Sequence, residues 1–336
     1  MAKSIFPRMV ALFASMLLIV AACGGSADDN GSAKDNGDLG TIGVAIGTQN
    51  TFEFIPTTLG VKLGVWKKRG LKIKNINVQG SAQVAQAVAA GQADMGVTAG
   101  ASGVDGILSG VKAKIVGLIG KDFNMMVLVV PANSGIESVK DLKGGAVGVT
   151  SAGSLTDYLA SVIAQDQGWP KSAIKRAAIG GLSENLAALE SGTTDAFIWS
   201  AEAGIALEEQ GKGRVLLNFG KMMGDNVFEA TLASDDTIKN RPDAVRAYLE
   251  GWYETVEYMA AHRDETIDYM TKTFQVSKIV AAKTYDLDMS NLSTDGTIPK
   301  ENLQGLAQSV VDMGVVKDTP DIETFWDSQF VPVSVN

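Results

Sequence analysis

The 336-residue chain has very few of the residues on which disulfide, zinc and Cys–His chemistry depend. It contains one Cys and one His, Cys23 and His262. One Cys cannot form an intrachain disulfide, and one Cys with one His cannot complete a Cys/His zinc site. A Cys–His nucleophilic pair would need these two residues to meet, and Cys23 lies in a segment that we predict to be processed. We therefore predict no catalysis, no metal and no cofactor.

Basic residues are also in deficit. The chain has 29 Lys and Arg against 38 Asp and Glu, a formal net charge of −9, which has the wrong sign for binding a phosphate backbone. We therefore expect no nucleic-acid partner. A hydrophobic content of 46% and a mean hydropathy of +0.10 are typical of neither a disordered chain nor a polytopic membrane protein. The sequence has no G-x-x-x-x-G-K-[ST] motif, so the chain does not supply its own P-loop ATPase.

The N-terminus has the pattern of a secretory signal. Two basic residues precede an uncharged apolar run over residues 9–22, which is too short to span a bilayer. The small residues before Cys23 resemble a bacterial lipobox, in which the Cys is lipidated and becomes the new N-terminus; the alternative is a plain signal peptide with an incidental Cys. We predict a signal peptide over 1–22, lipidation of Cys23 and a flexible Gly/Ser/Asp/Asn-rich tether over 23–39. The protein would then be extracytoplasmic and held to a membrane by lipid.

Short β-rich segments alternate with helical ones from Thr41 onward, which predicts sheets flanked by helices, an α/β fold. Two segments echo each other: Gly91-Gln92-Ala93-Asp94 and Gly192-Thr193-Thr194-Asp195 each follow an apolar helix face and precede a buried strand. This repetition favours a molecule with two similar halves. After about residue 235 helices dominate. The aromatic stripe of the helix over 244–261 is predicted to be core packing, and His262 is predicted to lie at its negative end without a catalytic role.

Five segments together carry a family resemblance, namely GVKLGVWKKRGLKI, AVAAGQADMGVTAG, GIESVKDLKGGAVGVTSAGS, ALESGTTDAFIWS and RPDAVRAYLEGW. They resemble the type II periplasmic-binding-protein-like superfamily, in its nitrate/sulfonate/taurine branch of ABC-transporter substrate-binding proteins. The resemblance implies a monomer with a two-lobed fold, each lobe a mixed sheet flanked by helices, joined by two crossing hinge strands near 123–130 and 227–234. Lobe 1 would be discontinuous, with residues 40–124 plus 230–336, and lobe 2 would take 125–229.

The loops at the carboxyl ends of the strands are the expected place for a ligand, because helix N-termini there offer free N–H groups. The predicted ligand-binding residues, drawn from these loops and from the family's layout, are Gln49, Asn50, Phe52, Gly80, Ser81, Thr98, Ser102, Lys121, Thr150, Ser151, Ser154, Trp199 and Glu202. The alternative for each Ser and Thr is a purely structural helix cap.

The solute class stays open at this point. The sequence after Trp199 departs from the family pattern, and Glu202 places a negative charge near the expected site, which disfavours a simple inorganic anion. Lys121 is the nearest candidate counterion. The resemblance implies capture of a small polar or anionic solute, of the nitrate, sulfonate or taurine type, and its delivery to an ABC permease. The alternatives are a pyrimidine, thiamine-precursor or other heterocycle-binding protein, or a pyrimidine-precursor synthase, whose Cys-rich segment and active-site His the mature chain lacks.

Overall fold

The computed structural model describes residues 37–47, 51–224 and 226–335, which belong to one compact unit. The predicted signal peptide, Cys23 and most of the tether lie outside the described residues, as do Gln49 and Asn50.

The first of two five-stranded sheets has the strand order β2-β1-β3-β10-β4. Strands β1, β2 and β3 are parallel, and β10 runs antiparallel to both β3 and β4. The strands are β1 (Gly40–Ile46), β2 (Leu71–Asn77), β3 (Met95–Ala99), β4 (Ala113–Gly120) and β10 (Glu229–Ser234).

The second sheet repeats this plan with the order β7-β6-β8-β5-β9. Strands β7, β6 and β8 are parallel, and β5 runs antiparallel to both β8 and β9. The strands are β5 (Met126–Pro131), β6 (Ala146–Val149), β7 (Lys175–Ala178), β8 (Ala196–Ser200) and β9 (Gly213–Asn218). The chain therefore passes from the first sheet to the second between β4 and β5 and returns between β9 and β10.

Helices cover both sheets. Those interleaved with the strands are α1 (Ile55–Leu63), α2 (Ser81–Ala89), α3 (Gly100–Leu108), α4 (Leu155–Asp166), α5 (Leu182–Glu190), α6 (Ala201–Glu209) and α7 (Gly220–Met223). Those after β10 are α8 (Asp235–Asn240), α9 (Pro242–Ala261), α10 (Arg263–Phe274), α11 (Lys278–Asp288), α12 (Lys300–Met313) and α13 (Ile322–Phe325). Among this last group, α9 packs on α1, α12 packs on α3, and α11 packs on α6, so the late helices contact elements of both sheets.

The echo between the two halves is confirmed as a shared structural device. Gly91 and Gly192 end α2 and α5 with φ of 68° and 70°, a left-handed conformation that glycine adopts without strain. The carboxylate of Asp94 then accepts the backbone N–H of Gly43 at 2.6 Å, and that of Asp195 accepts the N–H of Ala146 at 2.7 Å. Each aspartate thereby ties the strand it precedes to the neighbouring parallel strand.

The predictions for α9 also agree with the structure. Its Trp252, Tyr253 and Met259 side chains are fully buried, and the Tyr253 hydroxyl donates to the carbonyl of Leu118 in β4 at 2.8 Å. His262 is the residue at which α9 ends. The Trp252, Tyr253 and Met259 side chains are thus core packing, whereas Tyr258, the fourth member of the predicted stripe, is half-buried and donates its hydroxyl to Glu265 Oε2 at 2.6 Å.

The predicted fold class, α/β with two mixed sheets flanked by helices, is confirmed. The strands fall into the two sheets almost at the predicted limits, with Glu229, the first residue of β10, one residue before the predicted return to lobe 1. The division into lobes 40–124 plus 230–336 and 125–229 remains a prediction. Strands β5 and β10 each belong wholly to one sheet, so the crossings lie in the segments that precede them.

Candidate functional site

A small cavity lies where loops from the two sheets meet. Its volume is about 40 Å³, room for a few water molecules and far below the size of a pocket for a drug-sized ligand. The lining comes from the loops after β1, β2 and β6, the ends of β8, and the beginnings of β5 and β10. The lining residues are Gly47, Glu53, Phe54, Gly80, Ser81, Met126, Thr150, Leu155, Thr156, Trp199, Ser200 and Glu229.

One wall of the cavity belongs to a hydroxyl cluster, which we define as Thr150, Ser154 and Thr156. The Thr150 hydroxyl donates to Ser154 Oγ at 2.8 Å, and the Thr156 hydroxyl lies 3.0 Å from Thr150 and 3.1 Å from Ser154. Ser154 also caps the N-terminus of α4. Buried polar groups are stable when they are hydrogen-bonded, and these three satisfy one another.

Two hydrogen bonds connect the halves at residues adjacent in sequence or space to the cavity lining. The Ser102 hydroxyl in α3 donates to the carbonyl of Gly153 at 3.2 Å, and the Ser151 hydroxyl donates to the carbonyl of Gln79 at 3.3 Å. Gly80 has a φ of +86°, and a Cβ there would lie 2.7 Å from Thr150 Oγ1. A glycine is therefore required for this close approach.

The opposite wall belongs to a carboxylate cluster, which we define as Glu53, Glu202, Glu229 and Asp288. All four side chains are at most 4% exposed. They come from four elements: the 3₁₀ turn Phe52–Phe54, the first turn of α6, the first residue of β10 and the last residue of α11. Glu53 and Glu229 line the cavity, and Glu202 and Asp288 lie behind them.

Most oxygens of this carboxylate cluster lack a hydrogen-bond partner among the residues that the structure describes. This holds for one oxygen each of Glu53 and Glu229 and for both oxygens of Glu202 and of Asp288. The indole Nε1 of Trp199, which also lines the cavity, likewise has no partner in that part of the chain. Buried polar atoms of this kind are rare in native proteins and call for an explanation.

Burial and mutual repulsion keep these carboxyls protonated more strongly than free ones. Burial raises the pKa of Glu53 from its ordinary 4.5 to about 7. Burial, together with the charge of Glu53, raises the pKa values of Glu202, Glu229 and Asp288 well above their ordinary range, and Asp288 acts on Glu202 as well. Every charged neighbour that shifts these groups is acidic, with Asp122 also acting on Asp288. The cluster therefore favours either protons or a positive charge.

The structure brings some of the predicted ligand-binding residues together around the cavity and places others elsewhere. Gly80, Ser81, Thr150 and Trp199 line it. Ser102 and Ser151 form hydrogen bonds between the halves, Ser154 lies in the hydroxyl cluster and Glu202 in the carboxylate cluster. Thr98 is buried behind Ser81, whose hydroxyl accepts the N–H of Ala99 at 3.2 Å. Whether any of these residues contacts a solute remains a prediction.

Two predicted residues, Phe52 and Lys121, have their partners away from the cavity. Phe52 is fully buried and meets the ring of Tyr285 edge-on, with 6.3 Å between ring centroids. Lys121 is exposed, donates to the carbonyl of Ser290 at 3.2 Å and lines a separate cavity with Asp295 and Asn302. In the described residues no basic side chain lines the small cavity.

Sequence reasoning missed Glu53, Glu229 and Asp288. The available signal was a lone acidic residue within an apolar segment, FEF for Glu53 and VFEATLA for Glu229. Carboxylates are seldom fully buried without a partner. A Glu within an apolar segment that the fold buries therefore indicates an unusual environment. Asp288 has no comparable signal, because it ends an ordinary amphipathic helix.

Within residues 37–47, 51–224 and 226–335, no helix has the length and apolar character needed to cross a bilayer. No group of three or more His, Cys, Asp or Glu side chains there has the arrangement of a metal site.

The two-sheet α/β architecture with a cavity between the halves is that of a periplasmic binding protein, and solved structures of such proteins match it. The alkanesulfonate-binding protein SsuA from Xanthomonas axonopodis pv. citri, bound to MOPS, superposes with a TM-score of 0.73 at 16% identity, over 85% of this chain and 98% of that one. The periplasmic nitrate-binding protein NrtA from Synechocystis PCC 6803 gives a TM-score of 0.66 at 13% identity, over 84% of each chain. At these identities the likeness shows the fold.

The sequence itself matches the family model described as "NMT1/THI5 like" over residues 51–266, and the chain belongs to that family. A protein of Bacillus subtilis (strain 168) named for binding aliphatic sulfonates is 25% identical over 269 residues, 79% of this chain and 78% of the relative.

Proposed function

We propose that this protein is an extracytoplasmic solute-binding lipoprotein of an ABC import system. In this role it captures a small solute between its two halves and delivers it to a membrane permease. One observation carries the proposal: the cavity is built jointly by loops of both sheets, with Gly47, Gly80 and Ser81 from the first and Thr150, Trp199 and Ser200 from the second. Such a site is complete only when the halves are together.

The mechanism is a hinged clamp. A solute contacts one half first, and contacts from the other half become available as the chain closes around it, so binding shifts the open-to-closed equilibrium. The contacts Ser102–Gly153 and Ser151–Gln79 belong to the closed arrangement. Names of relatives that bind alkanesulfonates and nitrate support a small solute of this general size.

A thermal-shift screen joined to small-angle scattering tests the clamp. The panel contains sulfonates, nitrate, small carboxylates, amines and pyrimidine or thiamine precursors. A true solute should raise the melting temperature by the linkage between binding and folding and reduce the radius of gyration. A solute that binds tightly without compaction would contradict the clamp, and a panel without any stabilising member would contradict solute binding.

Lipid anchoring is tested separately at Cys23. Replacing Cys23 with Ala should release the protein from membranes and abolish lipid labelling, because the thiol sulfur is the atom that is lipidated in a lipobox. The matched control is Ser26→Ala, a small change three residues further on that leaves the thiol intact. Continued lipid labelling of the Cys23→Ala protein would refute the anchor and leave solute binding untouched.

A further inference from the structure

The carboxylate cluster has no place in a site designed for a simple anion. Glu53 and Glu229 both line the cavity, and each has one buried oxygen without a partner in the described chain. An anion in this cavity would meet two carboxylates and no basic side chain of the described residues, which is unfavourable for it. The hydroxyl cluster on the other wall offers little compensation, since its members already bond to one another.

The cluster also spans both halves of the molecule. Glu53 and Glu229 belong to the half that contains the first sheet, because β10 is a strand of that sheet and the turn Phe52–Phe54 follows β1. Glu202 begins α6, which follows β8 of the second sheet. Asp288 ends α11, which packs on α6 and on the turn that contains Glu53. Bringing the halves together therefore brings like charges together in a buried place, which opposes closure unless they are neutralised.

Trp199 adds a second requirement. Trp199 lines the same cavity, and its buried indole N–H has no acceptor within the described residues, although a buried tryptophan N–H normally has one. The ring itself, with Phe54, gives the cavity aromatic surface, which attracts cations. A fitting ligand therefore carries N–H donors on a positive group for the carboxylates and one acceptor for the indole.

A metal ion does not meet this description. The described residues contain no metal-type arrangement of ligands, and a bare ion provides neither donors nor an acceptor. An ammonium, amidinium or guanidinium group provides the donors in the geometry that carboxylates accept.

Resting on the proposed function, we propose that the bound solute carries a positively charged nitrogen group held by Glu53 and Glu229, and that this charge permits the closed arrangement by offsetting the repulsion with Glu202. The solute's acceptor atom is held by Trp199 Nε1. In the closed, solute-free protein, protons take the place of the cation on the carboxyls. Binding then releases those protons to solvent, one for each carboxyl that ionises.

Pairs of small probes that share a shape and differ in charge separate this proposal from anion binding. Acetamidinium and acetate have the same planar shape and opposite charge, and glycinamide and glycolamide differ in an ammonium against a hydroxyl group beside the same carbonyl acceptor. At neutral pH acetamidinium and glycinamide should each reduce the radius of gyration and shift one indole N–H signal in a ¹⁵N spectrum. Trp199→Phe identifies that signal by removing it. Acetate and glycolamide should do neither.

Isosteric variants test the residues. Glu53→Gln and Glu202→Gln remove charge and keep shape, and each should weaken acetamidinium binding by about tenfold or more, since hydrogen bonds to charged groups are the strong ones. Glu257→Gln is the matched control, the same change on the exposed face of α9, and should bind as the parent does. Calorimetry in buffers of different ionisation enthalpy should show proton release on binding to the parent protein and less release in Glu53→Gln.

A measurement without any ligand covers the case of a variant that does not fold. The pH-sensitive groups that face Glu53 are Glu202 from α6, Glu229 from β10 and Asp288 from α11, with Asp122 facing Asp288. Because all are acids, the solute-free parent should be more compact at pH 5 than at pH 8. An equal radius of gyration at both pH values would overturn the role of the cluster in closure.

The results also distinguish this proposal from the proposed function. If acetate, nitrate or a sulfonate compacts the protein and no cationic probe does, solute binding stands and the cation proposal is wrong. If affinity for acetamidinium is the same in Glu53→Gln, Glu202→Gln and the parent, the cation is not held by the cluster. If no member of the wider panel compacts or stabilises the protein, the proposed function fails, and the cation proposal with it.

Discussion

The two walls of the cavity differ in how their buried polar side chains find hydrogen-bond partners. Both are made of buried polar side chains. The hydroxyl cluster on the α4 side closes its hydrogen bonds internally, and Ser154 at the same time caps a helix. The carboxylate cluster on the other side leaves most of its oxygens without partners in the described chain, and its members raise one another's pKa values.

This difference indicates that the hydroxyl cluster supports the structure and that the carboxylate cluster responds to a ligand. A self-satisfied network holds its shape whatever lies next to it, because each lone pair and proton is used. A network of unpartnered carboxyls is costly by itself and becomes stable only when something outside it supplies protons or positive charge. One wall is therefore expected to respond to mutation through stability, and the other through pH and ligand.

The largest effect is expected where the first half rests on the hydroxyl wall. Gly80→Ala would place a Cβ 2.7 Å from Thr150 Oγ1 and 3.0 Å from Ser151 Oγ, at a backbone conformation that only glycine adopts readily. We expect the halves to stay apart, so that a solute from the screen no longer reduces the radius of gyration. Gly224→Ala is the control, since Gly224 also has a positive φ but its Cβ would meet no atom within 4 Å. Normal compaction in Gly80→Ala would show that the loops do not need this approach.

The next effect concerns the carboxylate wall and its dependence on pH. In the folded protein, burial raises the pKa of Glu53 to about 7, from an ordinary 4.5. Well below pH 4.5 Glu53 is protonated in both the folded and the unfolded chain, so its burial adds no pH-dependent cost to folding. As the pH rises from 4.5 to about 7, the unfolded chain loses the proton first, which lowers the free energy of unfolding. Glu53→Gln should therefore gain about 3 kcal/mol in free energy of unfolding over the parent between pH 4 and pH 8. Denaturant melts at both pH values measure it. A difference that does not change with pH would mean that Glu53 is not buried as described.

A smaller loss is expected from the hydroxyl wall. Ser154→Ala removes the cap of α4 and a partner of both Thr150 and Thr156, which should cost about 1–2 kcal/mol of stability. In contrast to Glu53→Gln, this loss should be the same at pH 5 and pH 8. Ser183→Ala, at an exposed position of α5, is the control. A loss that varies with pH would connect the two walls and remove the distinction drawn between them.

The smallest effect is expected at a hydrogen bond between the two halves. Ser151→Ala deletes the hydrogen bond to the carbonyl of Gln79, one of the contacts between the halves. The closed arrangement should lose about 0.5–1.5 kcal/mol, seen as a severalfold weaker solute affinity with an unchanged melting temperature of the solute-free protein. A melting temperature that falls as far as in Ser154→Ala would place Ser151 in the supporting network instead.

The fold could be predicted from the sequence because it depends on local sequence patterns. Alternating β-rich and helical segments predicted the two mixed sheets, and the Gly91/Asp94 and Gly192/Asp195 repeats predicted a device that both halves use. These features depend on residues close together in the chain, so periodicity and turn chemistry suffice to find them.

The site was only partly predictable for the opposite reason. Thr150 and Ser81 follow strands and Trp199 lies near the end of one, where a general rule places ligands, and they do line the cavity. Glu53, Glu229 and Asp288 come together from a turn, a strand and a helix more than two hundred residues apart at the extremes. No local pattern records that meeting. Lys121, expected as a counterion, donates to the carbonyl of Ser290 and lines a separate cavity.

The tight fit of the cavity has a kinetic consequence. A cavity of about 40 Å³ leaves a larger solute little room to exchange while the contacts Ser102–Gly153 and Ser151–Gln79 hold the halves together. In the proposed clamp, release of the solute would require the halves to separate. The lifetime of the complex would then be set by how often the chain opens, and a permease that separated the halves would also empty the cavity.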